Sequence, residues 1–227
     1  MTTSTPFPTD YSAARAVFRE AAQRLGWGLE AHPIEAVGPD GEDLAIDVAC
    51  SANEDADRVL VISSGLHGVE GFFGSAVQAA LLEQWASAPP PPVRCVFLHA
   101  LNPYGFAWIR RPNEGNVDLN RNFLLPGEAF EVARDGYARL DPFLNPRHPP
   151  SRWEPYTLKA LWLIARHGLF RLKQAIAAGQ YDFPRGLFFG GSEPSQTQRL
   201  LAEHLPRWLS GSRRVVHLDL HTGLGPM

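Results

Sequence analysis

Two histidines and a glutamate have the residue types of a metal site. His67 and Glu70 lie three residues apart where a predicted buried strand opens into a helix, and glycines within residues 65–71 let the backbone turn tightly there. His221 follows another predicted strand. Zinc binds imidazole nitrogen and carboxylate oxygen, and a catalytic site commonly uses three protein ligands and leaves a position for water. Because ligands bind at the carboxyl ends of strands in open α/β sheets, we expect all three side chains at one sheet edge.

The spacing His-x-x-Glu is weak evidence on its own, since the chain contains it twice. The second copy, His32 and Glu35, falls inside a predicted edge strand and has no glycine turn beside it. We therefore interpret His32 and Glu35 as surface residues. The metal prediction at His67 and Glu70 depends on their setting.

The helices and strands that must position these residues are predicted from the spacing of hydrophobic residues and from turn signals. Residues 58–63 are apolar and β-branched, as in a central strand covered on both faces, and residues 93–100 are predicted to form another buried strand. A helix predicted over 72–86 joins the two strands into a βαβ unit. The remaining pattern predicts a helix after Asp10, a hairpin over 29–37 and 44–49, a long polar loop over 102–123, a surface connection over 129–155, helices over 158–178 and 196–209, and a strand over 214–220.

These elements predict one domain over residues 1–227, a three-layer α/β/α fold with a mixed, mostly parallel sheet. Residues 1–57 supply an N-terminal helix and hairpin, and residues 58–227 supply the core that bears the motifs. A chain of 227 residues with 44% hydrophobic positions is long enough to bury one sizeable core.

Charge and composition narrow the range of partners and compartments. A net charge of -3, from 21 basic and 24 acidic residues, creates no broad positive field, so we expect neither nucleic acid nor a membrane surface as partner. The first ten residues lack the layout of a signal peptide and no apolar run approaches a membrane span, which makes the cytoplasm the expected location. Cys50 and Cys95 lie in apolar strands and are expected to be free thiols.

Four motifs in order resemble those of the zinc carboxypeptidase superfamily. The chain is most similar to a bacterial branch of uncharacterised carboxypeptidase-like proteins and more distantly to the aspartoacylase and succinylglutamate desuccinylase deacylases. The resemblance spans about residues 55–227, and four ordered motifs are much more specific than one. The motifs are Gly65-Leu-His-Gly-Val-Glu-Gly71, Asn102-Pro-Tyr-Gly105, Asn116-Val-Asp-Leu-Asn-Arg-Asn-Phe123 and Asp219-Leu-His-Thr-Gly223.

The resemblance implies a zinc-carboxypeptidase-like fold with zinc as the cofactor, bound by His67, Glu70 and His221. It also implies that Asp118 accepts a hydrogen bond from the other ring nitrogen of the first metal histidine and so sets its tautomer. A loop-capping aspartate is the alternative interpretation of Asp118.

The resemblance assigns substrate binding and catalysis to the polar loop. Asn120 and Arg121 match the pair that binds a substrate carboxylate, for which the planar guanidinium fork is suited, although a solvated loop arginine is the simpler alternative. Arg111, or its neighbour Arg110, matches the arginine that polarises the scissile carbonyl. The sequence does not choose between these two arginines.

Other polar residues are assigned structural or supporting roles. Alternation along the last strand places His217 and Asp219 on the same face as His221, where they can form a polar shell behind the metal. Glu114 is interpreted as a solvated loop carboxylate. Structural roles are preferred for the remaining histidines, His99, His148, His167 and His204.

The resemblance requires a general base, which is a glutamate well beyond the second metal histidine. No glutamate follows His221, and the last one in the sequence is Glu203. We expect the chain to lack the C-terminal part of the fold and to belong to a longer hydrolase. A non-catalytic zinc- or carboxylate-binding module, or a partner chain that completes the site, are the alternatives. A peptide and an N-acyl amino acid both fit as the substrate.

Overall fold

The computed structural model describes residues 7–52, 57–131, 135–149, 151 and 153–222. The chain divides into two compact units, one formed by Met1–Glu114 with Gln196–Met227 and the other by Gly115–Ser195. We call the first the sheet unit and the second the insertion unit. The single domain and its division at residue 57 stay predictions, because compact units of this size occur both within domains and as domains.

The described residues form seven helices and five strands. In chain order these are α1 (Tyr11–Arg24), β1 (Gly28–Val37), β2 (Asp43–Cys50), β3 (Arg58–Ser64), α2 (Gly71–Ser87), β4 (Arg94–His99), α3 (Pro103–Ala107), α4 (Asp135–Leu144), α5 (Tyr156–His167), α6 (Leu169–Ala177), α7 (Gln196–Trp208) and β5 (Arg214–Leu220). Helices α4, α5 and α6 belong to the insertion unit, and the other elements to the sheet unit.

The five strands form one mixed sheet in the order β1-β2-β4-β3-β5. Strand β2 is antiparallel to both β1 and β4, whereas β3 is parallel to both β4 and β5. Four of the five strands, all except β2, therefore run in the same direction, which confirms the predicted mixed, mostly parallel sheet. The carboxyl ends of β3 and β5 consequently meet at one edge.

Helices cover both faces of this sheet. Phe18 of α1 and Leu82 of α2 share an apolar cluster with Phe97 on one face. Leu201 and Trp208 of α7 pack on the opposite face, against the strand residues that alternate with Phe97. The sheet unit thus has the predicted three-layer α/β/α architecture.

Three regions differ from their sequence predictions. Residues 158–178 form two helices instead of one, because Gly168 adopts a φ of 79° between α5 and α6. Residues 129–155 contain helix α4, on which Tyr137 and Leu140 are buried, so this region is more than a surface connection. Its prolines concealed the helical pattern, although Pro142 is accommodated inside α4. The polar loop over 102–123 includes the short helix α3.

The two cysteines are free thiols, as predicted. Burial raises the pKa of Cys50 and of Cys95 to about 11, which keeps both sulfurs protonated and unreactive at neutral pH. None of the helices in the described ranges has the length and apolar character needed to cross a membrane.

Candidate metal centre

The connection from β3 to α2 holds His67 and Glu70. Strand β3 ends at Ser64, Gly65 adopts a φ of 65°, and the 3-10 turn Gly68–Glu70 leads directly into α2. A positive φ strains residues with a side chain, so glycine suits position 65. This sharp change of direction places both side chains at the carboxyl end of β3.

A neighbouring loop supports this turn at very close range. A Cβ atom added to Gly68 would lie 2.0 Å from the carbonyl carbon of Gly105, so both chains can approach only because position 68 is glycine. The N–H of Val69 donates to the carbonyl of Arg110 at 3.0 Å. Asn102 accepts a hydrogen bond from the N–H of Gly105 at 2.7 Å, which shapes the supporting loop. Sequence reasoning missed this role, although the motif over 102–105 was the signal for it.

Three side chains converge where this turn meets the end of β5. His67 Nδ1 lies 3.0 Å from Glu70 Oε1 and 3.1 Å from His221 Nε2. The backbone N–H of Thr222 donates to Glu70 Oε2 at 2.7 Å, which holds that carboxylate in place. One ligand atom from each of the three side chains lies within 4.8 Å of the other two.

The spacing and chemistry of this cluster suit zinc. Two nitrogen ligands about 2.0–2.1 Å from one tetrahedral zinc ion lie about 3.3 Å apart, close to the two distances measured around His67 Nδ1. The side chain of His67 is 3% exposed, that of Glu70 11% and that of His221 30%. The three ligand atoms, two nitrogens and one oxygen, thus leave one side of the cluster accessible to solvent. A catalytic zinc site needs such an open position for water.

Among the described residues, His67, Glu70 and His221 are the one group of three metal-binding side chains close enough to share an ion. The other His-x-x-Glu copy lies on the edge strand β1, where His32 pairs with Glu30 at 3.2 Å. The interpretation as surface residues holds for Glu35, which is exposed, but is wrong for His32, whose side chain is 15% exposed and whose ring centroid lies 4.4 Å from that of His204.

Both candidate catalytic arginines lie in the loop that supports the turn. Arg110 is exposed and Arg111 is half-buried. The carbonyl of Arg111 accepts hydrogen bonds from the side chain of Asn102 at 3.1 Å and from the N–H of Gly68 at 3.4 Å. The backbone of this pair therefore helps to shape the cluster, and the role of either guanidinium stays a prediction.

The predicted substrate-binding residues lie in the insertion unit. Asp118 caps the 3-10 turn Leu119–Arg121 by accepting a hydrogen bond from the N–H of Asn120 at 3.1 Å. Arg121 donates to the carbonyls of Asn120 at 3.0 Å and of Ala177 at 2.6 Å. Asp118 thus performs the capping function, and its second role beside a metal histidine, like carboxylate binding by Asn120 and Arg121, stays a prediction.

The next residue of that motif, Asn122, has a structural function that sequence reasoning missed. Its side chain is fully buried and donates to the carbonyls of Gly190 at 2.9 Å and Glu193 at 3.0 Å, while its oxygen accepts from the N–H of Ser195 at 2.8 Å. Three hydrogen bonds therefore fasten residues 190–195 to the polar loop.

The sheet unit and its cluster define an α/β protein with a candidate metal centre of two histidines and one glutamate. The chain belongs to the family described as "Protein of unknown function (DUF2817)", whose sequence profile matches residues 7–227. No curated protein matches the chain at a significant level.

Several solved structures are similar to part of the chain. A provisionally assigned metallopeptidase from Shewanella denitrificans is 30% identical over 50% of this chain and 40% of its own, with a TM-score of 0.35. A second, from Shewanella amazonensis, is 26% identical over 52% of this chain and 42% of its own, with a TM-score of 0.38. Carboxypeptidase A from Helicoverpa armigera is 19% identical over 70% of this chain and 43% of its own, with a TM-score of 0.37. The chain thus matches less than half the length of each of these proteins.

Proposed function

We propose that this chain carries the metal centre of a zinc-dependent hydrolase that cleaves an amide bond next to a free carboxylate. The observation on which this depends is the convergence of His67, Glu70 and His221, with ligand atoms within 4.8 Å of one another. The resemblance of the four ordered motifs to the zinc carboxypeptidase superfamily supports the reaction class. A peptide is the first candidate substrate and an N-acyl amino acid the second.

The residues of the cluster have separate tasks in this proposal. Glu70 would hold the zinc through its carboxylate, of which Oε2 also accepts the N–H of Thr222 at 2.7 Å. His67 and His221 would hold it through their imidazole rings, which approach each other to 3.1 Å between nitrogens. When bound, zinc supplies Lewis-acid chemistry and lowers the pKa of a bound water molecule.

Substrate contacts follow the resemblance. Asn120 and Arg121 bind the substrate carboxylate, and Arg111 or Arg110 donates hydrogen bonds to the scissile carbonyl oxygen as negative charge develops there. Glu70 is engaged as a metal ligand, so we assign no general base among the described residues.

Zinc content tests the metal centre, and the chain offers a matched control. We expect wild-type protein to retain about one zinc ion per chain after dialysis, measured by inductively coupled plasma mass spectrometry. Glu70→Ala removes a ligand and should abolish retention, whereas Glu35→Ala alters the other His-x-x-Glu copy and should leave zinc content unchanged. Wild-type protein without zinc, or full zinc content in Glu70→Ala, would refute the metal centre.

Two substrate panels then test the reaction. Zinc-loaded protein is assayed against peptides with free C-termini and against N-acyl amino acids, with Glu70→Ala as the blank. Hydrolysis of peptides supports a carboxypeptidase-like enzyme, and hydrolysis of N-acyl amino acids supports a deacylase. Stable zinc binding without turnover of either panel would leave the metal centre in place and would show that these residues alone do not carry out the hydrolysis.

A further inference from the structure

Helices α5 and α6 of the insertion unit expose large apolar side chains. Leu158, Leu161 and Trp162 are spaced three and four residues apart, so they share one face of α5, and each is more than half exposed. Phe170 of α6 is 72% exposed, and Trp153, which precedes α5, is 93% exposed. We call these five side chains the exposed apolar group. Concentrations of apolar surface of this kind mark sites of interaction with another molecule.

The opposite side of α5 is the side that packs against the protein. Ala160, Leu163 and Ile164 recur at helical spacing and are half-buried, whereas no residue of α5 or α6 is fully buried. Helix α5 is therefore apolar on two opposite sides, and only one of them is covered. A helix with a single functional apolar stripe needs only the packed side, so the exposed stripe requires a separate explanation.

The charged side chains of these two helices all have the same sign. Residues 155–181 contain none of the chain's 24 acidic residues but four of its 21 basic residues, Lys159, Arg166, Arg171 and Lys173. All four are exposed. The guanidinium carbon of Arg166 lies 5.4 Å from the ring centroid of Trp162, and Lys159 pairs with Glu154, just before α5, at 3.1 Å. Cations are thus interspersed with the exposed apolar group.

We propose that α5 and α6 bind the surface of an anionic lipid bilayer. The exposed apolar group enters the boundary between headgroups and acyl chains, and the four cations contact the negatively charged headgroups. Tryptophan, phenylalanine and leucine combined with lysine and arginine are typical of helices that lie in this interface. The net charge of -3, from which no membrane partner was expected, averages over the whole chain and conceals this basic segment.

Charge favours a bilayer over a second copy of the chain as the occupant of this surface. In a two-fold dimer each copy presents the same patch to the other, so the cations of one copy would face those of its partner. Like charges opposed across an interface weaken association. An anionic bilayer instead supplies opposite charge together with an apolar phase, which matches both properties of the surface.

Co-sedimentation with lipid vesicles tests the proposal. One set of vesicles contains phosphatidylcholine and phosphatidylserine at about 70:30, and the other contains phosphatidylcholine alone. We expect the protein to bind the first set at least about tenfold more tightly than the second. Binding should weaken as the salt concentration rises from about 0.1 M to 0.5 M, because salt screens the attraction between the cations and the headgroups.

Two double variants separate the charged from the apolar contribution. Arg171→Gln with Lys173→Gln should weaken vesicle binding by about 10- to 30-fold, since each basic residue near an anionic surface contributes about fivefold. Leu158→Ser with Trp162→Ser should weaken it by about tenfold or more through lost apolar contact. Val37→Ser alters an exposed apolar residue of the sheet unit and is the control, with unchanged binding. Melting temperatures verify that each variant is folded.

Fluorescence quenching by brominated lipids identifies the surface that docks. Trp162→Phe keeps an apolar ring, so it should bind vesicles nearly as wild type does but lose part of the tryptophan quenching. Unchanged quenching in this variant, no binding to the phosphatidylserine vesicles, equal binding to both sets, or full binding by either double variant would overturn the proposal. A dimer that Leu158→Ser with Trp162→Ser dissociates, without any vesicle binding, would assign the surface to a second copy and overturn it too.

Discussion

A buried histidine outside the metal cluster should make this protein sensitive to mild acid. His99 of β4 is fully buried, its Nε2 lies 2.9 Å from the hydroxyl of Ser75, and its ring stacks on Phe18 with 4.6 Å between ring centroids. Burial lowers the pKa of His99 from 6.5 to about 4, because a charged imidazole loses its hydration there. The folded protein therefore keeps His99 neutral at pH 5.

The sign and size of the effect follow from proton linkage. The unfolded chain takes up a proton on this residue as pH falls through 6.5, whereas the folded chain does so only near 4. The stability associated with neutral His99 is thus fully present above pH 6.5, declines below it and levels off near pH 4. At pH 5 these two pKa values correspond to a loss of about 2 kcal/mol in the free energy of unfolding.

Urea denaturation at pH 7 and pH 5 measures this loss in wild type and in His99→Gln. Glutamine keeps a polar group near Ser75 but does not titrate, so other ionisable groups contribute similarly to both proteins and cancel in the comparison. We expect the wild type to lose about 2 kcal/mol more than His99→Gln between the two pH values. Equal losses in the two folded proteins would refute the conclusion that burial holds His99 neutral.

Three further substitutions test particular contacts. Arg15→Met removes two hydrogen bonds, at 2.6 and 3.2 Å, to the fully buried carboxylate of Asp47, which keeps its bond to Arg19. The substitution should lower the free energy of unfolding, measured in urea melts, by about 1.5–3 kcal/mol, and an unchanged value would refute the contribution assigned to these two bonds. Gly68→Ala forces the supporting loop away, so it should lower the free energy of unfolding by about 1–3 kcal/mol and weaken zinc binding. Gly28→Ala is the control, because its added Cβ would make only an ordinary 3.8 Å contact with the carbonyl oxygen of Cys50, and it should change neither quantity. Asp10→Ala removes the N-cap of α1 and should lower the melting temperature, at a cost of about 0.5–2 kcal/mol.

Elements with a strong local pattern were predicted well from the sequence. The strand predicted over 214–220 is β5, with the same limits, and the hairpin is β1 and β2. Asp10 caps α1 as expected, accepting the N–H of Ala13 at 2.8 Å. In each case the signal comes from residues within one turn or one strand, so neighbours in sequence are enough to determine it.

Predictions failed where a local signal was ambiguous or depended on distant neighbours. The prolines in residues 129–155 conceal α4, because proline disfavours helices in general but is accommodated in this one. Gly168 was an equally ambiguous signal, because an isolated glycine is often tolerated inside a helix but here ends α5 and begins α6. Neither outcome could be read from residue types alone.

The sequence by itself determined the chemistry available at the metal cluster: two imidazoles, a carboxylate three residues from the first, and a glycine turn after a buried strand. Only the tertiary structure decided their geometry. His67 and His221 are 154 residues apart in sequence, and the parallel pairing of β3 with β5 brings their ring nitrogens to 3.1 Å. The tertiary structure likewise brings Gly105 against Gly68, and Ser63 opposite Asp219. Such contacts depend on strand register and loop packing, which sum over many weak, non-local interactions and are not encoded in any one motif.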